Sequence, residues 1–158
     1  METQTLVGTL AKHPFLVGML PHHVDRLASM AFEVKFKQDE FIFREGDESG
    51  FFYLLLSGKV ALEVQAPART FRIQVVGEGE ELGWSSLLSP ARKCFQARCL
   101  EPVIALAFDG VRLRGACDAD SEFGYCLMKN VLGVVAERLQ ATRLQLLDVF
   151  KPVGSKMI

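Results

Sequence analysis

The side chains able to hold a metal or attack a carbonyl are few and scattered. Four cysteines (Cys94, Cys99, Cys117 and Cys126) and three histidines are all the chain offers. No CxxC or CxxxC brings two thiolates to the spacing of a zinc loop. Thiols spaced in this way read as reduced, mostly buried residues of a cytoplasmic protein, with redox or metal sensing as the alternative. His22 and His23 follow Pro21, which suits the first turn of a helix. They read as a solvated helix start, because no further ligand stands at helical spacing and no metal site is expected. No Ser-His-Asp set or carboxylate pair stands out, so no catalytic residue is assigned and the chain reads as a non-enzyme. Neither GxGxxG nor GxxxxGKS/T is present, which removes those routes to phosphate binding.

A chain of 158 residues, 49% hydrophobic and 23% charged, fits one folded domain. Eighteen basic against nineteen acidic residues leave a net charge of −1. That balance lacks the basic footprint of a nucleic-acid binder, so no direct DNA binding is expected. Met1-Glu2-Thr3-Gln4 opens no secretion signal. The clearest apolar runs, Phe51 to Leu56 and Val103 to Phe108, are too short to span a membrane.

The first thirty residues read as short helices carrying Leu6, Leu10, Phe15 and Leu16, then Val24, Leu27 and Ala28 after Pro21. From about 31 to 108 the pattern turns to strands. Phe32-Glu33-Val34-Lys35-Phe36 alternates as a half-buried strand should. Phe41 to Phe43, Phe51 to Leu56, Val60 to Val64, Phe71 to Val76, Phe95 to Cys99 and Val103 to Phe108 follow, separated by turn residues. Six to eight short strands at this spacing predict an antiparallel β-roll or jelly roll, in an α+β fold.

Val111 to Cys117 reads as a short helix, and Ser121 as the N-cap of a long one, with Glu122 in its first turn. Met128, Leu132, Val135, Leu139, Thr142, Leu146 and Val149 stand at alternating steps of four and three, a heptad seam broken once by polar Thr142. A helix from 121 to 150 would be about 45 Å long, more than one small roll can cover. The seam therefore predicts a parallel homodimer; packing on the parent domain alone is the alternative. The domain is expected to fill residues 1–150, and the tail 151–158, with Pro152 and Gly154, to fray.

Short helices, then a β-roll, then a long helix: this order, from about residue 14 to Val149, resembles the regulatory domain of the bacterial catabolite-activator (Crp/Fnr) family, a cyclic-nucleotide-binding domain. Phe41 to Asp47 followed by Phe52 to Val60 looks like that family's first glycine-turn section, with glycines where tight turns need positive φ. Arg138-Leu139-Gln140-Ala141-Thr142, with Leu147-Asp148-Val149 after it, is similar to the family's dimer helix. The resemblance implies that Thr142, with Arg143 beside it, contacts a purine across the seam. The plainer reading of Thr142 is a polar residue that sets the seam's register.

The phosphate cassette is where the sequence departs from the family. There, a glycine-glutamate pair opens a short helix and holds the ribose and cyclic phosphate, and an arginine followed by a small or hydroxyl residue neutralises the phosphate. Here Gly83 matches, but Trp84 takes the glutamate position; Ser85 and Ser86 begin the short helix, where their amides could receive an anion. Downstream, Lys93 takes the arginine position with Cys94 at the hydroxyl one, while a one-residue shift uses Arg92 instead. Phe95 stands where alanine is usual. Losing the glutamate removes an acceptor worth roughly 1.5–3 kcal/mol. An ammonium also grips phosphate less well than a planar guanidinium. Trp84 either fills the ribose space or stacks on a ligand ring.

These residues predict a dimeric regulatory or sensory module with a degenerate cassette and weak or altered binding of cyclic AMP or cyclic GMP, and no other cofactor. The family's helix-turn-helix domain has no counterpart before Ile158; for a complete chain a partner protein is the expected target, and a boundary within a longer protein is the alternative. The alternative is an assembly protein that uses the same fold without a ligand. A cupin-like enzyme is disfavoured because none of the three histidines lies in the strands.

Overall fold

The two continuous apolar runs form central strands buried on both faces, which is why they do not alternate. In Phe51–Ser57, Phe52 and Leu54 point to one side and Tyr53 and Leu55 to the other. Val103–Asp109 divides likewise, with Leu106 and Phe108 opposite Ala105 and Ala107. The computed structural model describes residues 2–48, 50–88 and 92–150. It contains strands β1 (Phe32–Phe36), β2 (Phe41–Phe43), β3 (Phe51–Ser57), β4 (Val60–Gln65), β5 (Thr70–Val76), β6 (Glu81–Leu82), β7 (Gln96–Cys99) and β8 (Val103–Asp109). The strands pair antiparallel into two four-stranded sheets, ordered β1-β8-β3-β6 and β2-β7-β4-β5. This is the expected jelly roll.

One core cluster lies between the sheets, around Leu55, Val60, Leu62, Ala97 and Cys99. The other joins the first sheet to the helices α1 (Thr3–Ala11), α2 (Pro21–Met30), α3 (Gly110–Ala119) and α4 (Ser121–Val149), with Leu10, Leu27, Phe52, Phe108, Leu113 and Phe123 at its heart. Burying each such side chain contributes about 1.5–3 kcal/mol. Gly58 turns β3 into β4 at φ 91°, where an added Cβ would collide with the Pro102 carbonyl. Among the described residues no helix is long and apolar enough to cross a membrane.

Several expectations need correction. Asp120, not Ser121, caps α4: its carboxylate accepts from the Phe123 amide at 3.2 Å. The short helix α3 is longer than Val111 to Cys117, because the Asp109 side chain caps it at Gly110. β6, only two residues long, carries no period that the sequence could show. His22 is exposed as expected, but His23 is 1% exposed, packed edge-on against Phe123. All four cysteines are free thiols; only Cys99 is fully buried, and Cys94 is exposed. The expected tail lies outside the described residues.

The two halves of α4 differ. Phe123, Gly124, Leu127 and Val131 are buried, and Met128, Val134 and Val135 pack partly on the helix-side core. Two seam positions, Met128 and Val135, are thus shared with the parent domain. Leu132 is exposed, and from Leu139 onward every residue is, including Thr142, Leu146 and Val149.

Candidate functional site

The turn after β6 builds one wall of a small cavity. Gly83 adopts φ 82°, and a Cβ there would lie 2.6 Å from the Phe51 carbonyl oxygen, so only glycine lets the chain pass so close to β3. It leads into a short 3-10 turn, Trp84–Leu87. The Ser86 amide and hydroxyl both donate to the Gly83 carbonyl, at 3.0 and 2.8 Å, and the Ser86 carbonyl accepts from Arg114. Ser86 is therefore a buried brace of the turn.

The opposite wall is pinned to the loop after β2. The Lys93 amide donates to the Asp47 carbonyl and the Gly46 amide to the Lys93 carbonyl, each at 2.8 Å. Arg92 is exposed, and its guanidinium donates to the Gly46 carbonyl at 2.9 Å. Lys93 turns inward and is 7% exposed. Its ammonium donates to the Ser85 hydroxyl at 3.1 Å and lies 4.3 Å from the centre of the Phe43 ring. Among the described residues no carboxylate pairs with it. Burial without an anionic partner pushes its pKa down to about 8.

The cavity between these walls measures about 160 Å³. It brings together Gly83, Trp84, Ser85, Arg92, Lys93 and Cys94, with Phe95 also in the lining. Trp84 is half-buried and packs partly against the helix-side core. Ser86, Thr142 and Arg143 lie outside the lining. Thr142 is exposed on α4, and its hydroxyl donates to the Arg138 carbonyl at 2.9 Å.

The α4 residue that does reach the cavity is Arg138, to which the sequence assigned no role. Its guanidinium donates to the Glu81 carbonyl at 2.8 Å and pairs with the Glu81 carboxylate, tying α4 to β6. Burial pushes the Glu81 pKa up while Arg138 pulls it down. Nothing in the spacing of two residues 57 apart announces this pair. Arg138 also borders an open groove of about 620 Å³ between α4 and the turn Pro14–Leu16.

Residues 33–120 match the family described as cyclic nucleotide-binding domain. A CRP-like cAMP-activated global transcriptional regulator of Mycobacterium tuberculosis is 26% identical over 141 residues, which cover 89% of this chain and 61% of that protein. The chain thus spans about three-fifths of that relative's length. A putative cyclic nucleotide-binding protein from Geobacter metallireducens is 27% identical, with 88% of this chain and 98% of that one covered and a TM-score of 0.74. The catabolite activator protein of Thermus thermophilus is 28% identical, with 84% of this chain and 61% of that one covered and a TM-score of 0.69.

Proposed function

This chain belongs to the cyclic nucleotide-binding domain family, and from that premise we propose a dimeric regulatory domain with an altered phosphate site and weak affinity for cyclic AMP or cyclic GMP. The observation that carries the reading is Lys93. Its pKa falls from 10.5 to about 8 on burial, a penalty on the charged form on the order of 3 kcal/mol. An anion drawn into the cavity offsets that penalty, so Lys93 takes the phosphate and Arg92 stays at the rim.

Size and chemistry limit the affinity. The cavity of about 160 Å³ is smaller than the roughly 300 Å³ at which small-molecule sites begin. Trp84 stands where the family places a ribose-binding glutamate, and Phe95 adds bulk beside it. A dissociation constant of about 100 μM or weaker follows, roughly −5.5 kcal/mol at best.

The apolar row beyond Leu139 has no cover within one chain, which supports a parallel dimer through the C-terminal part of α4. Thr142 and Arg143, outside the cavity lining in a single chain, would meet the purine across that seam. A near-neutral charge supports a protein partner over duplex DNA, in the cytoplasm, with no catalytic step assigned. The cavity's small size favours a second reading, a ligand-free assembly protein.

Calorimetry with cyclic AMP and cyclic GMP tests the first reading. Weak, saturable binding that Lys93→Met abolishes supports it; equal binding by both proteins removes Lys93 from the site. No binding by an intact dimer points to the second reading. Light scattering should give about twice the chain mass, reduced by Leu139→Lys, and a monomeric native protein contradicts both.

A further inference from the structure

The first turns of α2 and α4 meet at three side chains whose chemistry the nucleotide reading does not use. His23 is 1% exposed, and neither of its ring nitrogens has a hydrogen-bond partner among the described residues. His22 lies beside it, with ring centres 4.2 Å apart. Glu122 brings Oε1 to 3.7 Å from His23 Nε2 and 4.0 Å from His22 Nε2. One ligand atom from each of the three lies within 4.8 Å of the others. We propose that His22, His23 and Glu122 form a divalent transition-metal site, with zinc as its preferred occupant, that clips α2 to the start of α4.

Two imidazoles and a carboxylate are a donor set that suits zinc and leaves a fourth position for water. Ligands bonded to tetrahedral zinc at 2.0–2.1 Å stand about 3.4 Å from one another. The two separations to Glu122, 3.7 and 4.0 Å, are slightly wider, and the two outer arms can move inward: the His22 and Glu122 side chains are 65% and 64% exposed. His23 is the fixed arm, held by its packing on Phe123. A metal bond would give its buried nitrogen the partner it otherwise lacks.

The helix ends act against a cation, because both point their positive poles toward the cluster. The Glu122 charge offsets this, while nearby Asp120 is occupied with Arg26 at 3.4 Å.

The test uses the full chain, stripped with chelator and titrated with zinc alone. Calorimetry should give one zinc per chain, and a hundredfold excess over the dissociation constant should raise Tm by about 8 °C. His22→Ala and Glu122→Gln alter exposed side chains and should leave the fold intact, yet each should weaken zinc at least tenfold. Cobalt(II) absorption should report nitrogen and oxygen ligands without a thiolate band. No zinc binding by the native chain, unchanged affinity in either variant, or a thiolate band would each overturn the proposal.

Discussion

Arg98 and Lys93 stand on either side of the start of β7 and keep opposite electrostatic company. Arg98 forms a fork with the buried Glu63, Nε to Oε1 and Nη2 to Oε2, both at 3.0 Å. Gln96 donates to the same carboxylate at 3.2 Å, and Asp39 accepts from Arg98 at 3.2 Å. Every charge in that group has a counter-charge, and its pKa values move accordingly: Arg98 holds Glu63 down and Glu63 holds Arg98 up. Lys93, with a serine hydroxyl and a phenyl ring, has none. A matched charge thus ties β4 to β7, while Lys93, on the loop just before β7, faces the cavity unmatched, and the proposed phosphate role rests on that difference.

Breaking the matched side should produce the larger effect. Glu63→Ala removes both arms of the fork, leaves Arg98 with exposed Asp39 alone, and should cost about 2–3 kcal/mol in urea unfolding. A loss near zero would mean that Arg98, 28% exposed, escapes to solvent and the pair is not structural. Because the folded Glu63 pKa lies below its ordinary 4.5, the pair's contribution is present above that pH and is lost as pH falls through the folded value.

Removing the unmatched charge should have the opposite sign. Lys93→Met should stabilise the fold by about 1–2 kcal/mol at neutral pH, since replacing a buried charge by an apolar chain relieves its desolvation. Between pH 8 and 10.5 the unfolded lysine keeps its proton while the folded one has lost it, so native stability should rise with pH across that window. The variant should lack this rise. A destabilised Lys93→Met would mean that its contacts with Ser85 and Phe43 outweigh burial of the charge.

The mildest test concerns ligand affinity against pH. Nucleotide binding should weaken roughly tenfold for each pH unit above about 8, as Lys93 loses its charge. Lys93→Arg should flatten that profile, because guanidinium stays charged. A flat native profile would assign the anion to Arg92 or Arg138 instead.

Much of this architecture is legible in the sequence because its signals are local. Phe51 to Leu56 and Val103 to Phe108 announce central strands, and Gly58 and Gly83 mark positions that need left-handed backbone. The cassette residues Gly83 to Ser85 and Arg92 to Cys94 could be proposed together only through family resemblance, and in the fold they share one cavity. What stayed hidden depends on contacts distant in sequence. Arg138 reaches Glu81 through the course of α4, and His23 is buried by Phe123. The proposed roles of Thr142 and Arg143 would require a second chain.

The proposed cyclic-nucleotide site is the cavity between Trp84 and Lys93, and those two residues would weaken it. Calorimetry of the native protein beside Trp84→Glu/Lys93→Arg tests it most directly. The native chain should bind cyclic AMP or cyclic GMP at about 100 μM or weaker, and the double variant, with the acceptor and planar fork restored, at least tenfold more tightly. Submicromolar binding by the native chain, or no gain in the double variant, would contradict the account.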